Sequence, residues 1–239
     1  MGHFYSLRLA AALVLPVSCW IPSAMAQSGE TDAVQPNVII STNIGVVSDY
    51  RFRGLSYSNR DPALQGGIDA AFKSGWFVGT WASTIAKNSG SHTEIDLYGG
   101  YASEKNGVNY SATFYGYVYP GGSGVNYFEL QGKVGKTIGP AHLELQLDYT
   151  PDQWNSTRDN LYIGAQTSVG IPGTPLTAKL RGGRENGSYN DKWDWEAGLS
   201  YSRRWLTVSA SYVDTNYHGA DEAGRLGSAG FVGSVIASF

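Results

Sequence analysis

Hydrophobic and polar side chains alternate with a period of two over residues 37–54. The apolar positions are Val38, Ile40, Ile44, Val46, Tyr50 and Phe52, and the polar positions include Ser41, Asn43, Asp49, Arg51 and Arg53. Successive side chains of a β-strand point to opposite faces, so the pattern predicts a strand with one apolar and one polar face. About ten residues are enough for a tilted strand to cross a bilayer, and this segment is longer than that.

The same alternation recurs along the rest of the chain and is separated by turn-forming residues. Further strands are predicted at residues 62–72, 76–83, 93–101, 108–119, 127–134, 142–149, 161–169, 176–184, 194–201, 206–212 and 230–239. The connections mostly alternate between short and long, and Asn106-Gly107 is a strong hairpin signal. The pattern predicts an all-β fold, a single transmembrane antiparallel β-barrel of about twelve strands in an up-and-down meander, with short turns periplasmic and long loops extracellular.

The N-terminal residues predict export. Residues 1–26 combine Arg8, an apolar run and a small-residue cleavage site between Ala26 and Gln27, which is typical of a cleaved signal peptide. Residues 27–36 are polar and are interpreted as a periplasmic lead, and residues 37–239 as the barrel. Cys19, the one cysteine, lies in the signal peptide, so the mature chain is expected to form no disulfide.

The charge composition argues against nucleic acid as a partner. After removal of Arg8 the chain has 16 basic and 20 acidic residues, a net charge of −4, and no basic field for nucleic acid. The alternative of a soluble exported β-sandwich also fits alternating strands, because its apolar face would point inward. The many aromatic residues near strand ends favour a membrane barrel with interfacial girdles.

Several segments of the chain resemble the TorF family of porins. They are residues 48–56 (SDYRFRGLS), 62–69 (PALQGGID), 79–83 (GTWAS), 94–101 (EIDLYGGY) and 115–120 (YGYVYP), which occur in the expected order. The resemblance implies an outer-membrane barrel and a pore, and it supplies no catalytic residue. Phe239 resembles the aromatic C-terminal signal by which the barrel assembly machinery receives such proteins.

The sequence offers little support for enzymatic chemistry or for a cofactor. Gly135-Lys136-Thr137 lacks the earlier glycine of a phosphate-binding loop. The mature histidines, His92, His142 and His218, are not at metal-ligand spacing. We therefore expect no enzyme, no cofactor and no metal, while a serine hydrolase built into the barrel wall stays open as a remote alternative.

Charged residues on the polar phase of the strands are the candidate lumen lining. They are Asp49, Arg51, Arg53, Asp69, Glu94, Asp96, Glu129, Lys133, Glu144, Asp148, Lys179, Arg181, Asp194 and Glu196. Charged rings set the sign of permeant ions, and the excess of acids predicts a weak cation preference. The alternative is that these acids and bases pair across the lumen and hold its wall together.

The function expected from the sequence is a porin-like channel in the bacterial outer membrane. It would be surrounded by outer-membrane lipid and pass small hydrophilic solutes or ions by passive diffusion. The main alternative is a structural, adhesion or receptor barrel with a plugged lumen that acts through its extracellular loops.

Overall fold

The computed structural model describes residues 36–239, which form fourteen strands. Their bounds are β1 Val38–Val47, β2 Arg51–Phe52, β3 Leu55–Ser56, β4 Ala63–Phe72, β5 Trp76–Asn88, β6 Ser91–Lys105, β7 Val108–Val118, β8 Tyr127–Ile138, β9 Ala141–Thr150, β10 Asn160–Gly170, β11 Leu176–Gly187, β12 Asp191–Arg203, β13 Leu206–Thr215 and β14 Gly230–Ser238. The predicted signal peptide, the Ala26/Gln27 cleavage site and all but the last residue of the predicted lead lie outside the described residues.

Twelve of these strands form a closed antiparallel barrel in which sequence neighbours pair. β1 closes the barrel because it pairs with β4 on one side and with β14 on the other; Ile44 lies opposite both Gly66 and Ala237. The predicted all-β barrel of about twelve strands in a meander is therefore confirmed. Among residues 36–239, no helix is long and apolar enough to cross a membrane.

The outer surface of the wall is apolar. Exposed side chains of successive strands form this band, among them Ile40, Leu64, Val78, Leu97, Phe114, Leu130, Leu145, Ile163, Leu180, Leu199, Val208 and Val235. Aromatic pairs such as Trp76–Tyr101 and Trp205–Phe239 lie at the end where the connections are short, which we call the turn end. An apolar band with aromatic rims is the exterior of a barrel in the bacterial outer membrane.

Several strands extend further than the sequence predicts. The predicted loop at 84–92 is wrong, since β5 continues to Asn88 and a turn at Ser89-Gly90 leads directly into β6. Likewise the predicted loop at 185–192 is mostly strand, and only residues 188–190 connect β11 to β12. Backbone pairing continues through these polar residues because it does not depend on an apolar face. We call this end of the barrel the loop end.

The first predicted strand is too long at its C-terminal end. β1 ends at Val47, and the chain then leaves the wall and enters the barrel. Ser48 still bonds to β14, donating from its N–H to the carbonyl of Gly233 at 2.8 Å, before the chain turns inward. The polar residues Asp49, Arg51 and Arg53 are therefore not on a wall strand.

Candidate functional site

Residues 48–62 fold into the lumen, and we call this segment the lumen hairpin. Its core is the pair β2–β3, with Arg53 and Gly54 at the two turn positions. Both turn residues have positive φ, 47° and 85°, as the tightest type of two-residue hairpin requires. Gly54 also lies close to the Cβ atoms of Asp194 and Thr215, so a larger residue would collide with the wall at β12 and β13. The tip of the hairpin therefore packs directly against the inner face of the wall.

Hydrogen bonds within the hairpin hold its shape. The carboxylate of Asp49 accepts from Arg51 Nε at 2.5 Å and from Ser56 Oγ at 2.6 Å. The Tyr57 N–H donates to the Tyr50 carbonyl at 2.7 Å. Because Asp49, Arg51 and Ser56 are all buried, these bonds are shielded from water and rigidify the segment.

Arg53 at the tip of the hairpin fastens it to three wall strands. Its guanidinium donates to Glu129 and Asp148 at 2.8 Å and to Glu185 at 3.1 Å. Burial alone would lower the pKa of Arg53, but the carboxylates of Glu129, Asp148 and Glu185 more than offset this and hold the pKa well above its ordinary value. The Arg53 guanidinium also lies 4.5 Å from the ring centroid of Tyr162. The tip is thus a buried, permanently charged anchor.

A second set of contacts joins the base of the hairpin to the loop between β13 and β14. Arg51 Nη1 donates to the carbonyl of Ser228 at 3.0 Å, and Arg60 donates to the carbonyls of Ser228 and Ala229 at 3.2 and 3.0 Å. A 3-10 turn at Gly224–Leu226 lies in the same loop. The loop between β13 and β14 and the lumen hairpin are therefore fixed to each other.

Ion pairs also line the wall on either side of the hairpin. Their partners are Lys133–Glu144 at 3.5 Å, Lys179–Glu196 at 3.2 Å, Arg181–Asp194 at 2.9 Å and Lys192–Glu185 at 2.9 Å. The alternative drawn from the sequence is pairing across the lumen, whereas these four pairs join neighbouring strands along the wall, β8 with β9 and β11 with β12. They lie on the strand faces opposite the lipid-facing side chains, as the period of two requires.

The acids of β4 and β6 have no basic partner within residues 36–239. Glu94 instead accepts hydrogen bonds from the hydroxyls of Tyr50 and Tyr119 at 2.6 and 2.7 Å. Asp69 accepts from Tyr98 at 2.5 Å. Asp96 is 1% exposed, and its Oδ1 atom has no hydrogen-bond partner in the described part of the chain. The acidic residues that have no basic counterpart are thus concentrated on this side of the lumen.

The fourteen charged residues singled out from the sequence all lie on the inner side of the barrel. Eleven are on wall strands, whereas Asp49, Arg51 and Arg53 are on the lumen hairpin. Sequence reasoning missed Glu185 and Lys192, which are 3% and 1% exposed, because both were assigned to a loop. The signal was present: they continue the inward registers of Arg181 and Asp194 at spacing two.

The hairpin divides the lumen into two cavities. The turn-end cavity is lined by charged and aromatic side chains of the hairpin and of β11, and by the inner faces of β12, β13 and β14, including Ser200, Ser209 and Ser234. The loop-end cavity is lined mainly by aromatic and amide side chains. Phe52 and Arg53 line both, so these two side chains separate the cavities. In residues 36–239 no three His, Cys, Asp or Glu side chains are grouped to hold a metal ion.

Comparison with known proteins gives one family and a set of similar folds. A family model described as "Bacterial protein of unknown function (Gcw_chp)" matches residues 30–239. No curated protein matches the chain in sequence.

Three solved structures illustrate the similarity of fold. The NanC porin has a TM-score of 0.58 at 12% identity, with 84% of this chain and 99% of that chain covered. The KdgM porin has a TM-score of 0.58 at 9% identity, with coverages of 83% and 98%. The COG4313 outer membrane channel from Pseudomonas putida F1 has a TM-score of 0.53 at 10% identity, with coverages of 89% and 100%. At these identities the similarity concerns the fold alone.

Proposed function

We propose that this chain, which belongs to the Gcw_chp family, is a channel for passive diffusion of small hydrophilic solutes or ions, because it folds as a closed barrel with a polar lumen. The observation that carries the proposal is the pair of cavities that meet at Phe52 and Arg53. The two cavities are separated only by the side chains at the tip of the lumen hairpin. A modest displacement of these side chains would therefore join the cavities into one path.

A weak preference for cations is part of the proposal. The fourteen inward residues together with Glu185 and Lys192 comprise ten acidic and six basic side chains, hence a formal net charge of −4. Most bases are paired, whereas Glu94 and Asp96 have no basic partner among the described residues. Unbalanced carboxylates lower the energy of a cation in the path and raise that of an anion.

The proposed route to the membrane depends on both ends of the chain. We propose that residues 1–26 direct export and that Phe239 is read by the barrel assembly machinery. Phe239 is 71% exposed on the outer surface and pairs with β1, donating from its N–H to the Thr42 carbonyl at 2.9 Å. An exposed terminal aromatic ring is available to a partner before the barrel closes. The resemblance to the TorF family of porins stays a prediction.

The lumen hairpin also favours a second candidate function. Its buried anchors at Arg53 and Arg51 close the lumen, which suits a structural, adhesion or receptor barrel acting through its loops. Neither candidate involves enzymatic chemistry, and we propose that the protein is not an enzyme. Passage of solutes distinguishes the two candidates.

Liposome swelling tests the channel directly. The mature chain would be refolded into liposomes, with folding verified by heat-modifiable gel migration, and exposed to a pentose, a hexose, a disaccharide and a trisaccharide. A matched variant replaces residues 50–57 by two glycines, which is geometrically feasible because Tyr50 and Tyr57 are joined by a backbone hydrogen bond. We expect swelling that slows with solute size and is faster in the variant. Swelling with the variant alone would support the closed barrel, and swelling with neither would overturn the channel.

A further inference from the structure

The loop-end cavity has a chemistry different from that of the charged lumen below it. Eight of its fourteen lining residues carry an aromatic ring or a side-chain amide, namely Phe52, Tyr57, Tyr119, Tyr127, Tyr189, Asn88, Asn155 and Asn190. Binding sites are typically concave, lined by apolar and aromatic surface, with a few polar groups that fix orientation. This cavity has that composition and lies at the entrance to the proposed channel.

Two hydroxyl groups in the cavity are free to bind a ligand. The hydroxyls of Tyr57 and Tyr127 have no hydrogen-bond partner within residues 36–239, and neither is a fully buried unsatisfied atom. Burial raises the pKa of Tyr57, so this hydroxyl stays protonated and can both donate and accept. By contrast, Tyr189 donates its hydroxyl to Asn155 Oδ1 at 2.9 Å, which leaves the Asn155 amide N–H groups available.

The rings that carry these hydroxyls are held in place by other rings. Tyr127 stacks on Tyr117 with centroids 4.4 Å apart, and Tyr189 packs against Tyr127 at 5.5 Å. Tyr57 packs edge-on against Tyr50 at 5.6 Å. Rigid rings lose little conformational entropy on binding, so they form preorganised flat surfaces.

The cavity offers no free charge to a charged ligand. Its ionised side chains are Arg53, Glu185 and Lys192, and all three are buried and paired with one another through Glu185. Asn190 Nδ2 also donates to Glu185 at 3.3 Å. A charged ligand would have to break these pairs, whereas a neutral one would leave them intact.

We propose that the loop-end cavity binds a neutral saccharide, with the apolar faces of sugar rings against the tyrosine rings and the sugar hydroxyls bonded to Tyr57, Tyr127 and Asn155. As a statement about what the channel passes, this inference rests on the proposed function. As a binding site it is tested separately, because binding at the cavity does not require passage.

Calorimetric titration of the refolded mature chain tests the site. The probes are the neutral disaccharides maltose, sucrose and lactose, and lactobionate, the acid derived from lactose; the detergent must be an amine oxide, since maltosides would compete. We expect at least one neutral disaccharide to bind and lactobionate to bind more weakly than lactose. Absence of binding by all neutral probes, or tighter binding of lactobionate, would overturn the proposal.

Hydroxyl-deleting variants locate the site. Tyr57→Phe and Tyr127→Phe keep the rings and remove one hydrogen-bonding group each, and we expect each to weaken binding about 2- to 12-fold. Tyr110→Phe is the matched control, because Tyr110 is 41% exposed on the lipid-facing surface, and it should bind like the unmodified chain. If Tyr57→Phe and Tyr127→Phe bind the disaccharide with the same affinity as Tyr110→Phe, the assignment of the site to the loop-end cavity is overturned.

Current recordings separate this inference from the channel proposal. If a disaccharide added on the loop side reduces the ionic current, the result supports both the saccharide site and the channel. Ionic current without any disaccharide binding overturns the saccharide site and leaves the channel intact. Disaccharide binding without current overturns the channel and leaves the site intact.

Discussion

Replacement of Arg53 by Met removes the charged anchor of the lumen hairpin while keeping a side chain of similar length. Arg53 makes four hydrogen bonds of 2.8–3.1 Å to Glu129, Asp148 and Glu185, whose side chains are 1%, 0% and 4% exposed. Removing one partner of a buried ion pair costs about 3–5 kcal/mol, because the other charge is left uncompensated. The three carboxylates regain water only if the hairpin moves. The inward position should therefore lose a factor of roughly 150 to 4,000 in relative population.

Single-channel recording measures that shift. We expect Arg53→Met to show larger conductance steps or a longer open time than the unmodified protein, because the side chain that separates the two cavities no longer holds its place. Arg203→Met is the control. Arg203 is exposed at the turn end, so this substitution removes the same charge without affecting the hairpin.

The wall should survive the change, since its strand pairing does not involve Arg53. Heat-modifiable migration is therefore expected to be retained in Arg53→Met. A folded Arg53→Met barrel with unchanged conductance and unchanged open time would refute the idea that this ion cluster controls the lumen.

Three further predictions concern the wall and its assembly. Leu145→Arg places a charge in the lipid-facing band and should lower the free energy of unfolding by about 2–4 kcal/mol, whereas Gln146→Arg on the inner face should cost much less in the same denaturant titration; the reverse order would refute the assignment of faces. Gly79→Ala places a Cβ against the ring of Tyr98, so unfolding should become easier by about 1–3 kcal/mol, and an unchanged midpoint would show that the ring relaxes freely. Phe239→Ser should reduce the folded barrel recovered from membranes while leaving refolding in detergent unaffected; equal recovery in cells would remove the assembly role.

The architecture of the wall could be predicted from the sequence, because lipid on one face and water on the other impose a period of two on every strand. In β9 the alternation of Leu143, Leu145 and Leu147 with Glu144 and Gln146 has no exception, and the structure places the leucines outside. The loop-end parts of the strands were predicted as loops because their outward residues, such as Asn186 and Asp191, are polar, although the inward register continues at Glu185 and Lys192.

The lumen hairpin could not be predicted from the sequence, for a different reason. Asp49, Arg51 and Arg53 continue the alternation of β1, so the pattern alone predicts a longer strand. The departure from the wall depends on the turn at Arg53-Gly54 and on contacts with residues 76 to 177 positions away. Such long-range ion pairs leave no local trace in the sequence.

Current across a planar bilayer is the most direct test of the central claim, that a path through the barrel exists and is narrowed by the lumen hairpin. The mature chain, residues 27–239, would be refolded, inserted and recorded under a potassium chloride gradient. We predict discrete conductance steps and a reversal potential whose sign indicates cation preference. A barrel that is verified as folded and yet gives no steps, both as the unmodified chain and with residues 50–57 replaced by two glycines, would contradict the account.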